Sequence, residues 1–423
     1  MKIEELYHIY CNHSIICTDT RKIESNCIFF ALKGENFNGN QFALEALNNG
    51  AAFVVVDEQV GISNDKIILV ENVLYTLQQL AKYHRQQFTI PFIAITGSNG
   101  KTTTKELVSA VLKTQYTTYT TQGNLNNHIG VPLTILSIKK DAEMAVIEMG
   151  ANHQKEIESY CLYTLPTHGI ITNCGKAHLE GFGGEEGIKK GKGELFSFLK
   201  EHNGTAFVYN EYDYLLEMAM GIKEIVEYGS SSTLFSASIV QFDPYLSIKF
   251  STNVTTEICT NLVGKYNFSN VLTAVAIGLY FNISMDKIKN AIVQYKPSNS
   301  RSQLLKIESN YFILDAYNAN PSSMKVALEN FAAIKADNKV VMLGAMMELG
   351  IDSIKEHQQI ADLLLQLKFK NVVLTGGDFK FTHHPFIYKE NNEAAKLWLQ
   401  QNKFTNTYFL IKGSRSMQME KIL

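Results

Sequence analysis

The chain is poor in proline, with 7 in 423 residues, and it carries a single tryptophan. So little proline beside 45% hydrophobic residues excludes a collagen-like or disordered polymer, because those compositions are proline-rich and short of apolar side chains. An excess of one charge is missing as well. Thirty-nine basic residues against 41 acidic ones leave a formal charge of −2, so no global positive field draws the chain to nucleic acid or anionic lipid, and any anion must be bound locally. No apolar run is long enough to span a bilayer. Met1 to Tyr10 alternates charged and apolar residues and lacks the basic and apolar regions of a secretory signal. The six cysteines (Cys11, Cys17, Cys27, Cys161, Cys174 and Cys259) form no C-x-x-C pair, which fits free thiols in a reducing compartment better than a disulfide framework or a zinc site. The expectation is a cytoplasmic monomer with neither nucleic acid nor membrane as a partner.

Aromatic residues are plentiful, 24 Phe and 20 Tyr, and at about 150 residues per domain the length suggests roughly three domains. The first, 1–89, contains an apolar helix from Phe42 to a stop at Asn48-Asn49-Gly50, strands at Phe53 to Val56 and Ile67 to Val70, and a helix from Asn72 to Phe88. Pro91 ends that helix. The second, 90–297, alternates strands at Phe92, Met144, Gly169 and Thr205 with helical stretches, which predicts a mostly parallel sheet. Between Thr233 and Thr260 short alternating strands predict an antiparallel edge. Lys296 to Ser300 reads as a linker, and 298–423 repeats the alternation as a Rossmann-like domain whose Gly376-Gly377 lacks dinucleotide spacing. The fold class is therefore α/β in three domains: a small N-terminal α/β domain, a central P-loop mononucleotide-binding parallel-sheet domain, and a C-terminal Rossmann-like α/β domain.

The strongest chemical signal is Thr96-Gly97-Ser98-Asn99-Gly100-Lys101-Thr102-Thr103, set where a strand turns into a helix. Glycines let backbone N–H groups wrap phosphate oxygens, the helix N-terminus adds positive charge, Lys101 reaches the β- and γ-phosphates, and Thr102 is placed to ligate Mg²⁺. Ile95 stands where the general pattern has its first glycine. Glu148, at the end of Ala145-Val146-Ile147, lies at the carboxyl edge of a sheet and suits Mg²⁺ held against ATP, or is a strand-end surface acid. His178 sits in a glycine-rich loop that follows another strand, where a metal or phosphate role competes with a structural one. Lys192, in Gly191-Lys192-Gly193-Glu194, begins or interrupts a helix, and on its residues alone it is equally a solvated lysine.

Together with Gly123-Asn124-Leu125-Asn126-Asn127-His128-Ile129-Gly130, Glu148-Met149-Gly150-Ala151 and Lys176-Ala177-His178-Leu179-Glu180-Gly181, the loop resembles the ATP-dependent Mur ligases. Phe29 to Gly39, Tyr317-Asn318-Ala319-Asn320-Pro321-Ser322-Ser323-Met324, Met347-Glu348-Leu349-Gly350 and Lys412-Gly413-Ser414-Arg415 extend the likeness over all three segments. The resemblance implies an enzyme that joins D-alanyl-D-alanine to UDP-N-acetylmuramoyl-tripeptide through an acyl phosphate made with ATP. It implies that Lys101, His178 and Lys192 are catalytic. Gly97, Ser98, Asn99, Gly100, Lys101, Thr102 and Thr103 would cradle the phosphates, with Asn267 and Asn270 on the adenine and Arg301 and Asp315 reaching the ATP side. Thr102 and Glu148 would hold one Mg²⁺, and His178 with a carbamylated Lys192 would serve a second. Thr20, Arg21, Asn127, Tyr317, Asn318, Lys412, Ser414 and Arg415 would bind the two substrates. On their own, Asn267 and Asn270 are equally a helix cap. The chain departs from the family where two adjacent acids and then a hydroxyl residue are usual, since Leu314-Asp315-Ala316 stands there. Rival readings are another amide ligase of the superfamily, a folylpolyglutamate synthase among them, an ATP-hydrolysing switch, and a non-catalytic binding protein on the same fold.

Overall fold

The computed structural model describes the chain from Met1 to Leu423 except residues 62–63, 253 and 298–299. Ser298 and Asn299, which fall in the expected linker, thus lie outside the described residues. The described chain divides into two compact units, Met1–Ala94 with Tyr116–Gly150 and Glu156–His168, and Ile95–Gln115 with Ala151–Lys155 and Gly169–Leu423.

In the first unit the strands Ile16–Cys17, Ile28–Phe30, Phe53–Val56 and Ile67–Leu69 form a parallel sheet in that order. Phe29 pairs with Val54, and both are buried with Cys27, Ala43, Ala46 and Val56 in one core. Burial of each such side chain is worth about 1.5–3 kcal/mol for the larger ones. The start of the chain, unassigned by its alternation, is a helix, Ile3–Asn12, that buries Leu6 and Tyr10. Asn72 caps the helix Val73–Arg85 by accepting the Tyr75 N–H at 2.8 Å. That helix packs against Gly130–Leu136 and Glu156–Thr164 of the following segment. Polar bonds reinforce the packing: Arg85 donates to the Thr164 and Leu165 carbonyls at 2.9 and 3.0 Å, and His84 Nε2 lies 2.8 Å from the Ile138 carbonyl. Thr118–Thr120 and Met144–Glu148 run parallel beside each other in this unit.

The second unit holds the parallel pair Thr205–Tyr209 and Glu224–Tyr228 and two further sheets. Ser236–Gln241, Ser247–Ser251 and Thr255–Cys259 form an antiparallel sheet of their own, rather than the edge of the parallel one that their pattern suggested. Its alternation buries Ile248, Phe250 and Ile258 on one face and leaves Lys249 and Glu257 to solvent. The C-terminal sheet runs Gln303–Ile307, Asn310–Asp315, Thr407–Lys412, Asn338–Gly344, Asn371–Thr375, Ile387–Lys389. Only its first pairing is antiparallel. The helices Pro321–Ala333, Ser353–Gln366 and Asn392–Gln401 connect its parallel strands, and its core joins Phe312, Val340, Met342, Val373, Phe409 and Ile411. Parallel register brings Asp315 level with Lys412, at the carboxyl end where ligands of α/β sheets bind.

Candidate active site

The loop after the strand Phe92–Thr96 leads straight into the helix Lys101–Leu112. Two of its glycines are required by space as well as by backbone angle. Gly97 has φ +138° and an added Cβ would lie 2.1 Å from Thr172 Oγ1; Gly100 has φ +80° and its Cβ would lie 2.6 Å from Asn270 Oδ1. Lys101 turns back over the loop, its Nζ donating to the Gly97 and Ser98 carbonyls at 2.6 and 3.1 Å. The end of the neighbouring strand grips the loop. Asn173 Oδ1 accepts the Asn99 N–H at 3.1 Å, Asn173 Nδ2 and Thr172 Oγ1 donate to the Asn99 carbonyl at 3.1 and 2.6 Å, and the Ser98 N–H donates to the Asn173 carbonyl at 2.9 Å. Asn173 carried no role in the sequence, although it stands in the same stretch as His178.

Asn267 and Asn270 are buried side by side, Asn270 Nδ2 donating to Asn267 Oδ1 at 2.9 Å. Asn270 Oδ1 accepts from Thr104 Oγ1, in the helix Lys101–Leu112, at 3.1 Å. The cap reading of these residues fails, because Asn267 stands at the N-cap of Phe268–Tyr280 without a capping side-chain bond.

His178 has a left-handed backbone (φ 53°) at the start of a short helical turn, Leu179–Phe182, and its Nδ1 pairs with the Glu348 carboxylate. The His178 hydrogen bond holds the Glu348 carboxyl below its ordinary range, against the opposing effect of burial. Lys192 lies inside the helix Glu185–Glu201, and at 1% exposure it is not the solvated lysine its flanking glycines allowed. Its Nζ donates to the Ala151 carbonyl at 3.0 Å and lies 4.7 Å from the centre of the Phe182 ring. Two glycines of this helix answer to Phe182: a Cβ on Gly187 would sit 1.8 Å from the Phe182 carbonyl oxygen, and one on Gly191 2.4 Å from its ring. Burial pushes the nearby Cys174 thiol up to about 11, with Lys192 and Lys189 pulling the other way. Lys176 Nζ donates to Glu356 at 2.9 Å, which raises the lysine above its ordinary value.

Arg301 stacks on the Tyr317 ring, its guanidinium carbon 3.6 Å from the centroid, and the Arg415 carbon lies 5.7 Å from the same ring. Asp315 and Lys412, expected at different ligands, form one ion pair at 2.6 Å, and Lys412 also donates to the Asn318 carbonyl at 3.1 Å. The Asn318 side chain accepts the Ala319 N–H at 2.9 Å, and the buried Ser414 hydroxyl lies 3.2 Å from that of Ser416.

In the first unit Glu148 is 1% exposed, so the reading of it as a surface acid fails. Its Oε1 accepts from Asn126 Nδ2 at 2.7 Å. The neighbouring Asn127, expected on the substrate, accepts the Gly130 N–H at 2.8 Å and shapes the turn into Gly130–Leu136. Thr20 and Arg21 form a single turn, Thr20–Lys22, whose arginine folds back on Asp19 through Nε and Nη2, each at 2.8 Å.

Among the described residues no group of three or more His, Cys, Asp or Glu is gathered to hold a metal ion. The donors suit Mg²⁺ bound partly by substrate phosphate oxygens, not an all-protein cage. No helix among the described residues is long and apolar enough to cross a membrane.

Family models match three successive stretches: the Mur ligase family catalytic domain over residues 12–86, the Mur ligase middle domain over 95–278, and the Mur ligase glutamate ligase domain over 300–415. The UDP-N-acetylmuramoyl-tripeptide--D-alanyl-D-alanine ligase of Bacillus subtilis is 34% identical, over 96% of this chain and 92% of its own length. The ligase of the same name from Escherichia coli is 32% identical over 96% and 92%. A crystal structure of MurF from Acinetobacter baumannii matches 96% of this chain and 92% of its own at 30% identity, with a TM-score of 0.87. With relatives this similar over 96% of its length and family models matched along three successive stretches, the chain belongs to the Mur ligase family.

Proposed function

We propose that the chain is the ATP-dependent ligase that joins D-alanyl-D-alanine to UDP-N-acetylmuramoyl-tripeptide, releasing ADP and phosphate, in the cytoplasmic synthesis of peptidoglycan precursor. The observation that carries the reading is the near full-length identity to relatives bearing that activity in their names. In the reaction, a carboxylate oxygen of the tripeptide attacks the γ-phosphorus of ATP and ADP leaves. The dipeptide amine then attacks the carbonyl carbon, loses a proton, and expels phosphate. Carboxylate and triphosphate repel, so the first step needs positive charge gathered between them.

Lys101, Arg301 and the N-terminus of Lys101–Leu112 supply that charge, while the loop from Gly97 to Thr103 orients the phosphates. Thr102 and Glu148 would hold one Mg²⁺, and His178 with Lys192 would serve a second. Mg²⁺ supplies further neutralisation of phosphate charge when bound. Carbamylation of the Lys192 amine by CO₂, with loss of a proton, turns a buried cation into an anionic oxygen donor, which is the form a metal can accept. Asn267 and Asn270 would face the adenine, and Thr20, Arg21, Asn127, Tyr317, Asn318, Lys412, Ser414 and Arg415 the peptide substrates. We place the domain boundaries at 1–89, 90–297 and 298–423, and take the chain to act as a monomer.

The test is phosphate release from ATP and Mg²⁺ with UDP-N-acetylmuramoyl-tripeptide, with and without D-alanyl-D-alanine, beside a folate-plus-glutamate control. Release that requires both cell-wall substrates is the expected result. Release with neither makes the chain an ATP-driven switch, and release in the control alone makes it a folate-type ligase.

A further inference from the structure

Asn320 has no role in the reading above, yet it makes two kinds of bond at once. As N-cap of Pro321–Ala333 it accepts the Ser323 N–H through Oδ1 at 2.9 Å, and its own N–H donates to Ser323 Oγ at 3.1 Å. A cap uses only the side-chain oxygen, so the amide nitrogen remains for a second partner. That nitrogen donates to Asn99 Oδ1 at 2.8 Å, across 221 positions of sequence.

Asn99 is the middle residue of the phosphate loop. Its N–H and carbonyl are already committed to Asn173 and Thr172. The bond from Asn320 therefore fixes the one part of Asn99 that the neighbouring strand end does not hold. It is also not an isolated touch. The next residues of the same helix seat on the loop after Asn173: the Lys176 N–H donates to Ser322 Oγ at 2.8 Å, and Gly175 leaves room for Ser322, whose Oγ would be 3.0 Å from any Cβ there.

We propose that Asn320 is a positioning residue of the phosphate loop, which ties the nucleotide-binding conformation of Asn99 to the seating of the helix Pro321–Ala333. Asparagine is required because the position needs an acceptor for the cap and a donor that reaches Asn99. Serine and aspartate cap equally well, but serine is too short to reach and aspartate has no donor. The proposal rests on the reading that this loop takes a nucleotide.

The experiment measures ADP affinity, the ATP KM and kcat, and the thermal midpoint for wild type, Asn320→Ser, Asn99→Ala and the double variant of the full chain. Asn320→Ser is expected to weaken ADP binding and raise the ATP KM about fivefold, the value of one hydrogen bond, with kcat and the thermal midpoint unchanged. Asn99→Ala should lose as much, and the double variant no more than either single one, since both remove the same bond. An Asn320→Ser protein that binds ADP like wild type overturns the proposal, and so do losses that simply add in the double variant. Should Asn320→Ser fold poorly, the unaltered cap in Asn99→Ala still decides the matter through its ADP affinity. A wild-type chain that does not bind ADP at all would instead sink the nucleotide reading, and the proposal with it.

Discussion

Two ion pairs of the molecule have similar chemistry and opposite surroundings. In the first unit Arg21 meets Asp19, two residues away, with side chains 85% and 31% exposed. In the second, Lys412 meets Asp315, 97 residues away, with side chains 3% and 18% exposed. The first pair is made by a local turn and survives in whatever conformation keeps that turn. The second exists only because two parallel strands lie in register with their carboxyl ends level. Exposure decides the energetics. Water screens the first pair, whereas the second is largely withdrawn from solvent, and Asp315 leans on Lys412 and on the Ser302 N–H, which donates to it at 3.1 Å. A residue of the second kind cannot bind a ligand without a substitute for the charge it leaves, so Asp315 and Lys412 act together or not at all.

The largest expected effect comes from breaking the buried pair. Lys412→Met leaves the Asp315 carboxylate without its counter-charge and should cost about 3–5 kcal/mol, read as a lowered urea midpoint of the full chain. Removing both charges, with Asp315→Leu added, should recover part of that loss, because the uncompensated charge goes with its partner. A single variant as stable as wild type would show that water reaches this pair, and the contrast with Arg21 would collapse.

An intermediate effect should come from pH, through two buried histidines. His84 in the first unit and His357 in the second are both buried, and burial lowers both below the ordinary histidine value. His357 Nε2 accepts the Met346 N–H at 3.0 Å and its Nδ1 lies 2.7 Å from the Ser353 carbonyl, which sets a neutral ring protonated at Nδ1. The folded state thus binds fewer protons than the unfolded one. Stability is complete above the unfolded value, about 6.5, and is lost as pH falls from there through the lower folded values. Urea midpoints measured from pH 8 to pH 5 should fall across the acid half of that range. Midpoints that stay level would mean that these rings charge without cost, and that burial counts for less here than the Asp315 pair implies.

The same division into local and assembled features governs what could be read from the sequence. The loop Gly97 to Thr103 was legible because its whole signature lies within one turn, with glycines where the φ angles of Gly97 and Gly100 demand them. Four strands of the C-terminal sheet were legible through β-branched and apolar runs, whereas its two edge strands, Gln303–Ile307 and the three-residue Ile387–Lys389, carry little periodic signal. The clamp by Asn173, 74 positions from Asn99, and the reach of Asn320 were not legible, since no local pattern encodes which side chains a fold will bring together. The glycines around Lys192 pointed the wrong way. Helix-interior glycine costs about 1 kcal/mol, so they read as a break, whereas at Gly191 the fold spends that cost on close packing of Phe182. Motifs supplied the family and most residues of the candidate site, and topology supplied their partners.

The smallest effect should come from Arg21→Ala, and it tests the comparison from its weak side. The guanidinium lowers the Asp19 carboxyl to about 2 chiefly through the side-chain hydrogen bond, so the pair stays charged throughout the working range of pH. A lowered acid would confer stability above its unfolded value that disappears as pH falls through about 2. For groups this exposed, solvent and salt cancel most of that gain, and the thermal midpoint of Arg21→Ala at neutral pH should match wild type within error. Asp19 would still cap its turn by accepting from the backbone N–H of residue 21, a bond that survives loss of the side chain. Affinity for UDP-N-acetylmuramoyl-tripeptide is the quantity that should change, because an arginine that contributes nothing to the fold can be redirected to a phosphate without loss. A drop in the midpoint with unaltered substrate affinity would reverse the assignment, making Arg21 a residue that holds the fold despite its exposure.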